Sequence, residues 1–354
     1  NAGEWYFKAY DLGYESEAIL QYALMLKAQE KYEEALKEFE KYLLEEPYRR
    51  PEMTLEMDAC KNGIAWKQRQ ENEYERDTYV TEITTLNSGD ADFNPVIYQG
   101  DKLIFTSSRD MSTGENNDSW TGDKYYDLYV ANIKDVTSFS APELFKGPFN
   151  AAYNDGTLAF NKDYSEVFFT RCGSDDRKVD DYCGIYVSNY LPDGGWSEPV
   201  ALPFFDDTMN IGTPCLSLDG NTLFFAATNP DGYGGADIYM SRRTESGWDA
   251  AYNAGQVINT SGNEVFPYFD SEGVMYFSSD KHPGLGGLDI FSATWKNNKF
   301  SNIKNMEYPI NSGADDFGLI LLDKKQFINS DTLNAGYFSS NRKGGMGDDD
   351  MYFF

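Results

Sequence analysis

The stretch Pro214–Arg243, PCLSLDGNTLFFAATNPDGYGGADIYMSRR, is a unit that the chain uses again and again. It holds three short runs of β-formers. Pro214–Leu218 ends in the turn Asp219-Gly220-Asn221, Thr222–Ala227 is dense in Leu and Phe, and the Gly-rich loop Asn229–Gly235 leads to Asp237–Ser241. Runs of this length between Gly, Asp and Asn turns read as antiparallel strands of a meander. The third run recurs as Asp127–Tyr129, Gly184–Tyr186, Asp237–Tyr239, Asp289–Phe291 and Asp350–Tyr352. The second recurs with ends at Phe105–Arg109, Phe168–Arg171, Phe224–Ala227, Phe277–Ser279 and Phe338–Arg342.

A period of about 40–60 residues with strands in every copy marks a propeller. A fourth, polar–aromatic run follows four of the units, at Ala141–Phe149, Trp196–Phe204, Trp248–Ile258 and Phe300–Ile310. The fifth unit stops at Phe354 without one. Thr78–Leu86 supplies a candidate, because Asn87–Phe93 matches Asn311–Phe317 without a gap and so places that run in an outer-strand position. The expectation is a mainly β chain: a five-bladed β-propeller over residues 77–354, closed by an outer strand at 78–86. Six blades is the alternative.

Residues 1–76 follow a helical period instead. Apolar residues recur at Ile19, Tyr22, Ala23 and Leu26, then at Ala35, Leu36, Phe39, Tyr42 and Leu43, with a turn at Gln29–Lys31 and a stop at Pro47. The order of Ala23, Tyr32, Ala35, Phe39 and Pro47 resembles a tetratricopeptide (TPR) repeat, although Glu30 stands where that repeat has a turn glycine. The reading is an α-helical domain of TPR-like hairpins, with Pro51–Glu73 as a further helix and Arg69–Arg76 as the junction.

Charge and histidine content narrow the chemistry. A net charge of −28 opposes nucleic acid and anionic membrane surfaces, which both call for a positive footprint. No apolar run approaches the length of a membrane span. The chain starts at Asn1 with neither initiator Met nor signal peptide, the expectation for a processed product. One histidine, His282, reads as a surface loop residue, and neither a Ser-His-Asp hydrolase nor a histidine zinc site is expected. No catalytic residue is assigned.

Asp92, Asp155, Glu264 and Asp316 each lie five residues after an asparagine (Asn87, Asn150, Asn259, Asn311), just before an inner strand begins. They are candidates for a binding rim at the channel mouth. Two other roles stay open: an acid–base pair for glycan hydrolysis, or carboxylates that hold local backbone amides. Cys172 and Cys183 flank one loop of the second unit, where antiparallel neighbours come within bridging distance, so a disulfide is expected. Cys60 and Cys215 read as buried thiols. The Asp-rich segments Asp175-Asp176, Asp180-Asp181 and Asp348–Asp350 are candidates for Ca²⁺ but lack a defined calcium-loop spacing, and no other metal or cofactor is expected.

The run Phe338–Tyr352, FSSNRKGGMGDDDMY, resembles the repeat of TolB-type periplasmic propellers. Helices followed by such a propeller resemble the PorE-like periplasmic components of the type IX secretion system and, more widely, TPR–propeller proteins of the OmpA family. The resemblance implies a non-enzymatic scaffold in the periplasm, associated with the outer membrane as a lipoprotein. Its partners would be envelope proteins, an outer-membrane protein or a secretion-system subunit. Peptidoglycan binding belongs in that family to an OmpA-like module that these residues do not contain. The alternative is a glycan-binding or glycoside-hydrolysing propeller. Asp207–Met209 and Asp331–Leu333 also resemble the O-glycosylation sequon of bacteria that carry such proteins.

Overall fold

The computed structural model describes residues 2–12, 16–110, 113, 124–173, 182–204, 209–323 and 334–354. The loop acids Asp175, Asp176, Asp180 and Asp181, the sequon residues Asp207 and Thr208, and Asp331–Leu333 lie outside them. The strands form five antiparallel sheets. Their inner, second and third strands are Asp92–Tyr98, Lys102–Ser107 and Asp127–Asp135 in blade one, and Asn154–Phe160, Glu166–Cys172 and Cys183–Asn189 in blade two. Blade three has Ile211–Leu216, Thr222–Thr228 and Ala236–Thr244. Blade four has Glu264–Phe269, Val274–Ser279 and Asp289–Lys296, and blade five Asp316–Leu321, Gly336–Ser340 and Asp350–Phe353. The second strands are the most apolar, and their aromatics (Phe105, Phe168, Phe169, Phe224, Phe225, Phe277, Phe338) are buried between neighbouring blades.

Outer strands are shorter than their sequence runs. Among the described residues only blade four has a long one, Lys299–Asn305; blade two pairs Val200–Ala201 and adds a single bridge between Tyr190 and Trp196. The outer strand of blade five comes from the other end of the chain, where Thr81 and Glu82 pair with Phe353 and Tyr352. Of the run 78–86, only these two residues form strand. Ile83 takes the amide bond from its N–H to Met351 and then turns, burying Ile83 and Leu86 against the blade.

Asn87 finishes this closure. Its side chain accepts from the Met351 N–H at 2.9 Å and donates to the Met351 carbonyl at 3.1 Å, completing backbone pairing where the strand has already ended. Asn150 does the same to Leu128, Asn259 to Ile238 and Asn311 to Ile290. The asparagine period in the sequence is therefore a set of side-chain clamps standing in for missing outer-strand residues.

Each inner strand carries a β-bulge at the same place, with its register broken after the second paired residue in four blades and after the third in blade two, whose strand starts one residue earlier. The bulged residue is left-handed in all five: Asn94 (φ 53°), Thr157 (37°), Thr213 (51°), Phe266 (54°) and Gly318 (62°). For Thr and Phe this conformation is costly, so neighbours must impose it. The N–H of Asn94 donates to Ser339 Oγ at 2.9 Å, that of Thr157 to Thr106 Oγ1 at 3.0 Å, and that of Thr213 to Thr170 Oγ1 at 3.1 Å. Each bond joins a blade to the one before it, and the first joins blade one to blade five.

Four α-helices precede the ring: α1 (Ala2–Asp11), α2 (Glu17–Ala28), α3 (Tyr32–Glu45) and α4 (Arg50–Glu71). Ala23 and Ala35 are fully buried in the core that α2, α3 and α4 share with Phe39, Tyr42 and Cys60. The propeller contributes Leu285 of the blade-four loop, which is buried completely against Tyr32 and Gly63, and Tyr308 packs partly buried against the same core. Around it, Glu30 accepts from the Gly313 N–H and Arg69 meets Glu307 at 2.7 Å. Strand alternation puts all of these loops on one face of the ring.

Deletion of residues 1–76 should leave a propeller that melts cooperatively, while deletion of residues 1–90 removes Thr81, Glu82 and the Asn87 clamp and exposes the edge of Asp350–Phe353. The second truncation is expected to aggregate or to lose its sharp transition, since an unpaired edge templates other chains. Scanning calorimetry and light scattering on the pair check this, and equal behaviour would disprove the closure.

Candidate functional site

The inner strands enclose a cavity of about 530 Å³ along the ring axis, to which all five blades contribute. Pro95, Leu158, Pro214, Pro267 and Leu319 line its wall at matching heights, one residue beyond each bulge. The bulged residues form one end. The turns between inner and second strands, with Lys162, Leu218 and Ser271, form the other, on the face opposite the helices. Lys162 is the one charged side chain among the described residues that line it. Cys215 also lines it, and burial pushes its thiol up to about 12, far from a nucleophile's range.

None of the four carboxylates expected at the channel mouth lines this cavity. Asp92, Asp155, Glu264 and Asp316 are fully buried at the other face, each folded back on the loop behind it. Their oxygens accept from the N–H groups of Ser88 (2.5 Å), Ala151 (2.7 Å), Thr260 (2.8 Å) and Ser312 (2.6 Å), each the residue after a clamping asparagine. The second oxygen of each aspartate takes a guanidinium: Arg109 on Asp92, Arg171 on Asp155 and Arg342 on Asp316. Each guanidinium also donates to a backbone carbonyl (Leu86, Pro148, Ile310) and lies over two aromatic rings, as Arg342 does over Phe338 and Tyr352 at 5.0 Å. Burial pushes Asp155 up to about 7 against the pull of Arg171. These groups brace the junctions between blades, and a binding or acid–base role would break that bracing.

Blade three has neither member: Ile211 stands in the acid's place, and Ala227 and Asn229 occupy the two positions from which arginines reach the acid in the other blades. The loss is paired, as it must be if one buried charge requires the other. Blade four keeps Glu264 without an arginine. Ser279 donates to it at 2.7 Å, and His282 sits nearby with its Nε2 2.7 Å from the Ile258 carbonyl. Burial pushes Glu264 up, while the bonds from Thr260 and Ser279 and the field of His282 oppose the shift.

A second lock holds the Gly-rich loops. Asp237 accepts from the Tyr233 N–H at 2.7 Å, Asp289 from Gly286 at 3.0 Å and Asp350 from Gly347 at 3.1 Å. A Cβ on Gly284 or Gly345 would run into the same carboxylate, so the loop must carry glycine to wrap it. Blade two has Gly184 in the aspartate's place, and there the chain is joined covalently: Cys172 and Cys183 are directly opposed and form a disulfide. Asp350 is thus spent on the loop amides. Burial, then Asp315, Asp348 and Asp350, push Asp349 up to about 6. Among the described residues no three His, Cys, Asp or Glu side chains converge as metal ligands.

No family model matches the chain, and no curated protein matches it. Solved structures do. An Agrobacterium tumefaciens protein assigned as TolB aligns at 14% identity and a TM-score of 0.43, covering 74% of this chain and 76% of its own. TolB from Acinetobacter baumannii aligns at 13% identity and 0.35, covering 64% of this chain and 48% of its own. A glycoside hydrolase aligns at 9% and 0.48, covering 76% and 88%. No helix of the described residues is long and apolar enough to cross a membrane.

The buried pairs set two expectations. Arg342→Met leaves Asp316 uncompensated and should cost about 3–5 kcal/mol in denaturant unfolding, while adding Asp316→Asn should recover part of the loss. Replacing Cys172 and Cys183 together by serine should cost about 2–3 kcal/mol for a loop of eleven residues' separation, and peptide mapping without reductant should show the two linked.

Proposed function

We propose that this protein is a non-enzymatic interaction scaffold of the periplasm, joining an outer-membrane or type IX secretion complex to the rest of the cell envelope. The cavity face receives a segment of one partner, and the TPR-like helices present a second surface. The observation that carries the reading is the cavity: proline and aliphatic walls from five blades, with the repeated carboxylates turned away from it and held elsewhere. Such a lining suits burial of an apolar segment rather than proton transfer. Acids stand in the turns around its mouth, at Asp101, Asp163, Asp219, Glu272 and Asp323, which favours a segment with basic flanks. On the helices, Leu44, Tyr48 and Leu55 are exposed side chains of the kind that partner surfaces cover. The Cys172–Cys183 disulfide fits an oxidising compartment.

A glycan-hydrolysing reading would need two carboxylates facing one cavity, and Asp92, Asp155, Glu264 and Asp316 do not supply them.

Leu218 is half exposed at the cavity mouth, so Leu218→Arg should leave the melting temperature unchanged. In-cell crosslinking followed by affinity purification should recover an envelope protein with the wild type and several-fold less with the variant. Equal recovery would move the binding surface off this face, and recovery of no envelope protein would overturn the scaffold.

A further inference from the structure

His282 occupies the station that arginine holds in the other braced blades, one residue further along the loop than Arg109 and Arg342. Its imidazole lies 5.6 Å from the Phe277 ring and 5.3 Å from Phe291, the second- and third-strand aromatics of blade four. Arg109 covers Phe105 and Tyr129, Arg171 covers Phe169 and Tyr186, and Arg342 covers Phe338 and Tyr352, at 5.0–5.5 Å. His282 also donates from Nε2 to the Ile258 carbonyl, next to the clamp Asn259, as the arginines donate to Leu86, Pro148 and Ile310. Its own N–H donates to Ser279 Oγ at 3.1 Å, and Ser279 in turn holds Glu264. The imidazole thus reproduces the aromatic seat and the carbonyl bond, and reaches the buried carboxylate through its charge.

A guanidinium is charged at every physiological pH, whereas imidazole changes charge between about pH 5 and 8. We propose that His282 gives blade four the one brace of the ring whose cation is proton-sensitive, and that the helices it carries tighten on the propeller as the pH falls. The connection is short. The loop that begins at His282 reaches Leu285, the residue buried in the helical core, and is tied down at its far end by Asp289 through Gly286. The charged groups around the ring are Glu264 from the inner strand, Asp280 and Lys281 beside it on the loop, and Glu52 of α4, which feels Lys281. Glu264 is the buried one, so a proton on His282 restores the cation–carboxylate arrangement that arginines supply in three other blades. The gain belongs to the protonated ring. It is present at low pH and lost as the pH rises through the imidazole's titration.

Asp155 and Asp289 give slopes of the same sign. Burial pushes each up to about 7, above its unfolded value, so each contribution is full below the unfolded value and is lost as the pH rises through about 7. A comparison in which both proteins contain both aspartates cancels them. Melting temperatures of wild type and His282→Arg are measured from pH 5.5 to 8.5, with NMR titration of the ring, whose signals are unambiguous because the sequence has one histidine. The expected result is a difference between the two that is small at pH 5.5 and grows in favour of arginine over the interval in which the ring signals move. Protection of the α2–α4 amides, taken relative to their intrinsic exchange rate at each pH, should rise several-fold at low pH in the wild type and less in the variant. Parallel curves, or a ring that does not titrate between pH 5 and 8, overturn the proposal. If His282→Arg does not fold, His282→Gln serves: it should match the wild type at pH 8.5 and fall below it at pH 5.5, and a constant offset overturns the proposal equally.

Discussion

A carboxylate with no exposure to water needs compensation, and the propeller is built around supplying it. Asp92, Asp155 and Asp316 each sit where one inner strand begins and the previous blade's loop ends. A backbone N–H and a guanidinium satisfy each one, and the guanidinium is in turn pressed onto two aromatic rings that belong to the blade core. The charge pair therefore connects three things that have no covalent reason to stay together: the incoming loop, the inner strand, and the second and third strands. Such a pair adds little net stability over apolar packing, but removing half of it is expensive, which makes it a specifier of register. Together with the bulge amides that donate to the preceding blade, it sets the angle at which one sheet follows the next.

Departures from the repeat confirm how the locks work, because each loss is accompanied by another change. Blade three drops the acid and the base together. Blade two drops the third-strand aspartate and closes the same two strand ends with Cys172–Cys183. Blade three also has Ala226 where the other second strands offer a hydroxyl, and there the Phe266 N–H turns to Thr213 Oγ1 of the neighbouring inner strand, at 3.3 Å. The bulge survives although its usual acceptor is missing. Geometry is kept, and the chemistry that keeps it varies.

The propeller was legible in the sequence because its signals are local: alternating strands, Gly-rich turns, and an asparagine followed at a constant distance by an acid. The closing strand was legible for the same reason, through the match of Asn87–Phe93 to Asn311–Phe317. What these acids do was legible only in part: holding local backbone amides stood among the readings and is what they do, but their arginines were not legible, since they come from different places relative to the strand. Arg171 lies directly opposite Asp155 in the ladder, whereas Arg109 and Arg342 lie two residues past the corresponding serines, Ser107 and Ser340. A partner that shifts in register leaves no period to read. His282 was hidden in the same way, one position further on, and in isolation it looks like a loop residue. Left-handed Thr157 and Phe266 could not be anticipated at all, because nothing in their own chemistry favours that conformation.

The two faces of the ring are chemically opposite, and this follows from where the locks lie. Loops between second and third strands, and loops between blades, all reach the same face. There the buried carboxylates, the Asn clamps and the Asp-held Gly loops collect, and there the helices dock through Leu285, Glu307 and Gly313. That face is committed to holding the ring together and to fixing the helices on it. Among the described residues the other face carries short turns, several of which close by Asx bonds such as Ser165 to Asp163 and Asn221 to Asp219. The inner turns at Asp163 and Asp219 close largely within their own hairpins, unlike the outer turn at Val136 that Tyr337 of blade five holds, so the mouth of the cavity is where this architecture leaves room for recognition.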